Sequence, residues 1–224
     1  IDSEAQRCRA ITKFALRWLA LTSCRPGECR FGAWQEISGI DFKTGEARDP
    51  FWIIPAERMK GDEERKLEEG GDHVIPLSRQ AVGLLLVLHR LSGDTPLMFP
   101  GERHLHRPIS ENTIRALLIR AGYHARHVPH GFRAAFSTIM NERADREWRA
   151  SGGQGASPDR PIIDLMLAHV PHNKVESAYN RAAYMPRRRE LAQEWADMLV
   201  GDMWPPEIHL GQPIRYAATG PGRG

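Results

Sequence analysis

Cysteine is scarce in this chain: three among 224 residues, at positions 8, 24 and 29. So small and odd a number makes no disulfide framework and points to a reducing, cytoplasmic setting. Cys24 and Cys29 stand five apart, without the C-x-x-C spacing of a zinc site. Long apolar runs are missing too. The longest, from Ala81 to Leu88, covers 8 residues, against the roughly 20 that span a bilayer, so no transmembrane helix is expected. The first residues carry mixed charges and no apolar stretch precedes a small-residue cleavage site, so no signal peptide is expected either. The chain lacks an initiator Met and reads as a piece of something longer. Nor does one sign of charge dominate. With 31 Lys and Arg against 28 Asp and Glu, the net charge is +3. That mild bias permits nucleic-acid binding without demanding it. No internal repeat is found.

What is present suffices for a packed domain. The hydrophobic share is 41%, and counting the 20 glycines with it brings the chain into the globular range of about 45–50%. The length suits one large domain or two small ones, at roughly 100–200 residues each. Residues 4–21 place Ile11, Phe14, Ala15, Trp18 and Leu19 at helical spacing. Pro26 suits the first turn of a second helix reaching about residue 34. The period then changes. FWIIP (51–55), HVIPL (73–77) and a stretch near 37–42 read as three short antiparallel strands. The charged connection at 56–72 is expected to have a mobile tip.

Ser78 caps a mostly buried helix, QAVGLLLVLHRL, and Ser110 is expected to cap ENTIRALLIRAG. Residues 130–143 continue the helical pattern, 151–157 (SGGQGAS) form a flexible loop, and Pro161 opens another helix. KVESAYNRAAY and RRRELAQEWADMLV follow, the latter aligning Leu191, Trp195, Met198 and Leu199 on one stripe. From Gly201 the chain is rich in Pro and Gly without a period, and a disordered tail is expected over 201–224. The fold class is therefore α+β, mainly α, with a small three-stranded antiparallel sheet.

Four places carry charged or reactive groups where a bland residue would pack better. Arg25 precedes Pro26 at a helix start, where free N–H groups favour an anion; an arginine merely paired with Glu28 fits the same pattern. Lys60 follows the strand FWIIP, where a lysine also serves to solubilise a sheet edge. His130 and Arg133, in HGFR, stand three apart, so both can face one side of a helix. A guanidinium and an imidazole converging there make a phosphate grip; a capping His with a surface Arg is the alternative. His169 ends an apolar helix, where its charged form suits the helix dipole, and Tyr179 follows ten residues on. A metal site of His124, His127 and His130 is disfavoured, because Gly122, Pro129 and Gly131 break the helix it needs.

The order of these groups changes their meaning. Arg…Lys…H-x-x-R…His…Tyr resembles the catalytic domain of the tyrosine recombinases, the phage integrase family. The likeness runs from about residue 11 to 200. RPGE (25–28), IPAERMK (54–60), VIPLSRQA (74–81), SENTIRALL (110–118), HGFRA (130–134) and LAHVPHNKVESAYNRAAYMPRRREL (167–191) look like the branch carried by satellite prophages and genomic islands. The resemblance implies a helical recombinase catalytic domain over 1–200, with the DNA-binding modules of the parent protein absent. The tail at 201–224 is then disordered or packed on a neighbouring protomer.

The resemblance also assigns roles. Arg25 and Arg133 would grip the scissile phosphate, two permanent charges stabilising the phosphorane without a metal. Tyr179 would be the nucleophile, leaving a 3′-phosphotyrosine and a free 5′-hydroxyl. A tyrosine of pKa about 10 needs activation at neutral pH. His130 would accept its proton, Lys60 would protonate the departing 5′-oxygen and His169 would hydrogen-bond the phosphate. Glu28 would hold a nearby basic group in place. Lys66 rivals Lys60, because the loop carries an inserted GDEERKLEEGG. Tyr184 rivals Tyr179; five residues turn about 500° of helix, so the two would point some 140° apart, and the ten-residue gap from His169 favours Tyr179.

No metal or cofactor is implied. The implied partners are double-stranded attachment-site DNA, further copies forming a tetramer on that DNA from a monomer in solution, and accessory DNA-bending proteins; no membrane is involved. DNA binding by the isolated region is expected to be weak and salt-sensitive. Arg25→Ala and Arg133→Ala are expected to abolish cleavage with the fold intact. A DNA-relaxing type IB topoisomerase and a catalytically silent DNA-binding remnant are the competing readings.

Overall fold

The computed structural model describes residues 8–59, 71–168 and 184–211. Its first helix, α1 (Ala10–Thr22), is buried almost all round, with Phe14, Ala15, Trp18 and Leu19 inaccessible to solvent. A helix apolar on one stripe only would leave its other face wet. Here the second face is covered as well, and α1 becomes the central post of the domain. Against it pack α2 (Pro26–Arg30), α3 (Arg79–Ser92), α4 (Thr113–Leu118), α5 (Gly131–Ala150) and α7 (Met185–Val200). α6 (Arg160–Met166) packs on α5 and α7.

The expected sheet is present as β1 (Ile37–Ile40), β2 (Ala47–Ile54) and β3 (His73–Pro76), antiparallel in that spatial order. Trp52 pairs with Ile75 and Ile54 with His73, and these four side chains form the buried face. Within β1, Gly39 bends at φ +77°, so close to β2 that a Cβ would lie 2.4 Å from the Arg48 carbonyl oxygen, and the strand then runs into a turn in which Asp41 Oδ1 accepts the Lys43 N–H at 2.8 Å. The register shifts between Ser38 and Ile40 accordingly. The chain is thus α+β and mainly helical, with seven α-helices among the described residues.

The apolar residues divide into two clusters. The larger joins α1, the inner sheet face, α3 and α4; the smaller gathers Phe136, Met140, Ile162, Ile163, Met166, Leu191 and Trp195 from α5, α6 and α7. Trp195 ties them together. Its ring meets Phe136 edge-on at 5.3 Å, and its indole N–H donates to the Ala20 carbonyl of α1 at 2.8 Å.

Several boundaries differ from the periodicity. α1 begins at Ala10. α2 ends at Arg30, Gly32 passes close to Met98 and Trp52, and a short 3₁₀ turn follows at Trp34–Glu36. Ser78 caps α3 as expected, accepting from the Ala81 N–H at 3.2 Å. Ser110 caps nothing: its hydroxyl pairs with that of Thr113 at 2.8 Å, and α4 starts after Asn112. α5 continues to Ala150, well beyond 143.

On α7, Leu191 and Trp195 are buried with Ala192 and Ala196, but Met198 is 44% exposed beside Arg143. The segment from Gly201 to Gly211, expected to lack structure, instead folds back on α1. Its 3₁₀ turn, Pro206–His209, leaves His209 with no accessible surface. Arg17 of α1 donates to the Trp204 carbonyl at 2.7 Å and lies 3.0 Å from His209 Nε2. A buried cation on α1 therefore finds its partners in the segment from 201. Residues 212–224 lie outside the described residues. Among the described residues no helix is long and apolar enough to cross a membrane.

Candidate active site

The end of α1 and the start of α2 build the first part of the site. Ser23 turns the chain with a left-handed backbone (φ 49°, ψ 26°), and its N–H closes α1 on the Leu19 carbonyl. Arg25 follows in extended conformation as the N-cap of α2, with Pro26 in the first turn. Glu28 reaches back to it. One carboxylate oxygen accepts the Arg25 backbone N–H and the other accepts Nη1, both at 2.7 Å. The anion expected at this turn is thus the chain's own. Glu28 is 4% exposed, so both of its oxygens are committed to orienting Arg25, whose side chain keeps 22% exposure.

Arg133 enters from the first turn of α5. It is 5% exposed and donates from Nη1 to the Ser23 carbonyl at 2.9 Å and from Nη2 to the Leu167 carbonyl at 2.5 Å. The structure therefore brings Arg25 and Arg133 together, the second bonded to the turn that presents the first. Burial, and then the Arg25 charge, lower the Arg133 pKa from its usual value, while Glu28 opposes both. His130 is the exposed N-cap residue of the same helix, and Phe136 reaches the core. The buried bonds of Arg133 correct the expectation that Arg133→Ala would leave the fold untouched. Two carbonyls, one on a left-handed residue and one just before left-handed Ala168, would lose their donor.

Lys60, His169 and Tyr179 lie outside the described residues, as does Lys66. The neighbours of the first two do not. Met59 lines a cleft of about 480 Å³ with Arg25, Gly27, Glu28, Phe31 and Arg58. Leu167, two positions before His169, carries the carbonyl that Arg133 holds. Arg58 is anchored by Glu36, whose Oε2 accepts from Arg58 Nη2 at 2.6 Å and from the Trp52 indole at 2.9 Å. Burial raises the Glu36 pKa, opposed by those same two partners. Tyr184, 58% exposed, is the left-handed N-cap of α7 (φ 57°) and not an interior helical residue. The helical angle expected between it and Tyr179 does not apply at that position.

Two further residues belong to this centre and were not singled out from the sequence. His73, first in β3, is 6% exposed, and its pKa is pulled down to about 3 by burial first and then by Arg188, Arg133 and Arg25. Arg188 of α7 is buried, donates from Nη2 to the Val74 carbonyl, and has its pKa lowered by desolvation to about 10. Each had a signal. His73 alternates with Ile75 on the inward face of β3, and Arg188 falls on the stripe of Leu191, Ala192 and Trp195. A polar residue where the period demands an apolar one marks a site or a buried network.

Among the described groups, the charges of Arg25, Arg133 and Arg188 act on the His73 imidazole, and the Glu28 carboxylate is bonded to Arg25. Such a set suits an oxyanion. No group of three potential metal ligands occurs among the described residues. Cys8, Cys24 and Cys29 are buried free thiols; burial, and then the neighbouring Cys24, push the Cys29 thiol pKa up.

Comparison with known proteins gives this centre its context. The chain is 36% identical over 188 residues to prophage integrase IntA of Escherichia coli K12, covering 84% of this chain and 38% of that protein. It is 37% identical over 185 residues to prophage integrase IntZ of the same strain, covering 83% and 39%. With the integrase of Enterobacteria phage P4 it shares 33% identity over 202 residues, covering 87% and 42%. The chain therefore belongs to the phage integrase family. It spans about two fifths of the length of these relatives. No protein-family model and no solved structure matches it.

Proposed function

We propose that this chain is the catalytic region of a site-specific DNA recombinase that cuts and rejoins strands through a 3′-phosphotyrosine. The observation carrying the proposal is the pairing of Arg25 with Arg133, each fixed by its own acceptors in one partly enclosed centre. Two rigid cations placed before substrate arrives stabilise charge on the non-bridging oxygens of a phosphorane without reorganising during the reaction. The Tyr179 hydroxyl attacks phosphorus, its proton passes to His130, and the phosphorus–O5′ bond breaks. Lys60 supplies the proton that the departing 5′-oxygen takes up, and His169 donates to a phosphate oxygen. Attack by a 5′-hydroxyl of another strand reverses these steps and rebuilds the diester with no external energy source. Glu28 is a positioning residue acting through Arg25.

The substrate in this reading is double-stranded DNA at attachment sites, used to integrate or excise a prophage or island within the cytoplasm. A tetramer forms on the DNA from monomers, with accessory DNA-bending proteins. Target choice rests on parts of the parent protein beyond residues 1–224.

Suicide duplexes nicked near the cleavage position, drawn from the ends of the parent element, test this with the intact parent protein. The short 5′-hydroxyl fragment diffuses away and a covalent adduct survives denaturant. The adduct is expected from the parent protein and from Tyr184→Phe, and is expected to vanish in Tyr179→Phe. Loss only in Tyr184→Phe overturns the nucleophile. No adduct from protein that binds the duplex overturns the chemistry in favour of silent DNA binding, and site-independent relaxation of supercoiled DNA favours the topoisomerase reading.

A further inference from the structure

We propose that the cleft beside Arg25 holds the nucleotide next to the scissile phosphate, with Arg58 gripping the phosphate on the far side of that nucleotide and Phe31 packing on its sugar. This deepens, and rests on, the phosphate-binding reading of Arg25 given above. The cleft, of about 480 Å³, is walled by Arg25, Phe31, Arg58 and Met59 among others. That volume lies within the range of about 300–1,000 Å³ that takes a small molecule. One phosphate group fills only part of it, so an anion held by Arg25 leaves room for the unit attached to it.

Arg58 ends the 3₁₀ turn Ala56–Arg58 that follows β2. Its guanidinium is fastened twice: Nη2 donates to Glu36 Oε2 at 2.6 Å, and Nη1 donates to the Glu28 carbonyl at 3.5 Å. Arg25 is fastened to the same residue through the Glu28 carboxylate. One residue of α2 therefore holds both cations, one by its side chain and one by its backbone. In each ion pair the acid is buried while the arginine keeps 22% of its side chain exposed, so the pair presents a cation outward. A guanidinium has five N–H donors. Arg58 spends two of them on the protein, and the rest suit phosphate oxygens. The one carboxylate lining the cleft, Glu28, has both oxygens committed to Arg25.

Phe31 supplies the apolar part. It is the C-cap residue of α2 and is 47% exposed. The Arg30 guanidinium lies over its ring, 5.2 Å from the centroid, and Arg30 is itself anchored by donating from Nε to the Ile109 carbonyl at 2.9 Å. The ring is thus held in place by a cation–π contact before any ligand arrives. Exposure of a single Phe means little by itself. Its place on one cleft with two outward guanidiniums gives it a partner, because a DNA strand offers the same two chemistries: anionic phosphates joined by sugars with apolar faces.

The test measures equilibrium binding of the intact parent protein to attachment-site duplexes in which one phosphate at a time is replaced by an uncharged methylphosphonate. The trapped adduct fixes the cleavage position. Neutralising one of the two linkages that flank the scissile phosphate is expected to weaken binding about tenfold in the original protein and to cost Arg58→Gln almost nothing. Arg58→Gln, which keeps an N–H for the buried Glu36 carboxylate, is expected to bind unmodified duplex about tenfold more weakly, with the slope of log affinity against log salt reduced by about 1. Arg58→Lys is expected to keep that slope. Phe31→Ser is expected to weaken binding with the slope unchanged. An Arg58→Gln protein that still pays the full penalty at the flanking linkage, or an original protein indifferent to both flanking linkages, overturns the assignment and confines Arg58 to anchoring its turn. Unaltered binding by Phe31→Ser overturns the sugar contact. If neutralising the scissile phosphate costs the original protein no more than it costs Arg25→Ala, the phosphate-centre reading itself falls.

Discussion

Glu28→Gln removes one negative charge and one acceptor at the root of the proposed centre. The carboxylate now accepts the Arg25 backbone N–H through one oxygen and Nη1 through the other, both at 2.7 Å, from a position only 4% exposed. A glutamine offers one carbonyl oxygen and an NH₂, so a single bond survives and a donor faces another donor. Losing one hydrogen bond to a charged group costs about 1.5–3 kcal/mol. For a domain of this length that lowers the midpoint of thermal unfolding by about 3–12 °C. Arg25 also loses its fixed rotamer, and a shift of about 1 Å in a phosphate-gripping group costs around a hundredfold in rate.

The two effects separate experimentally. Circular dichroism gives the unfolding midpoint. Single-turnover cleavage of the nicked duplex, run well below both midpoints, gives the rate of folded protein. In a cycle with Arg25→Ala, the two substitutions are expected to couple by about 1–3 kcal/mol, since they remove one shared contact. A Glu28→Gln protein with the original midpoint and the original cleavage rate would refute the positioning argument. An altered midpoint with an unaltered rate would confine Glu28 to stability.

Arg25→Ala and Arg133→Ala are both expected to lose cleavage, but not equally to lose stability: Arg133→Ala strips two buried carbonyls of their donor, so its unfolding midpoint should fall further. Equal midpoints, or cleavage retained by either folded variant, would contradict this. The pH dependence of stability should carry a signature of His73. Its folded pKa is about 3, below the unfolded value of about 6.5, so the unfolded chain binds the extra proton between them. The stabilising contribution is therefore complete above pH 6.5 and is lost on acidification, by about tenfold in the folding equilibrium per pH unit. Denaturant titrations at pH 7, 6 and 5 should show a shallower decline in His73→Gln than in the original protein. Equal declines would place the titration elsewhere.

Local pattern reached most of the architecture. The β-rich words around 51–55 and 73–77 became β2 and β3, and Ser78 capped its helix, because strand alternation and capping depend on residues close in sequence. It failed where distant parts of the chain decided the outcome. At position 32, just past α2, Met98 occupies the space a side chain would need. Residues 201–211 look structureless by composition, yet Arg17 and Phe14 give them a surface to dock on. Met198 satisfies the apolar period of α7 but meets Arg143 at the surface.

By itself, the sequence determined the family, the order of the candidate residues and the link between Arg25 and Glu28, since a carboxylate three residues past an N-cap can close on it from local geometry alone. Tertiary structure alone decided that Arg133 would be buried against Ser23 and Leu167, and that Arg188 and His73 would join it. Those five segments are separated by up to 165 positions in the chain, and no local periodicity reports such a meeting. What brings them together is the burial of α1 on every side: helices and sheet must converge on its C-terminal end to cover it. The polar groups they carry there must then find acceptors in one another's backbones.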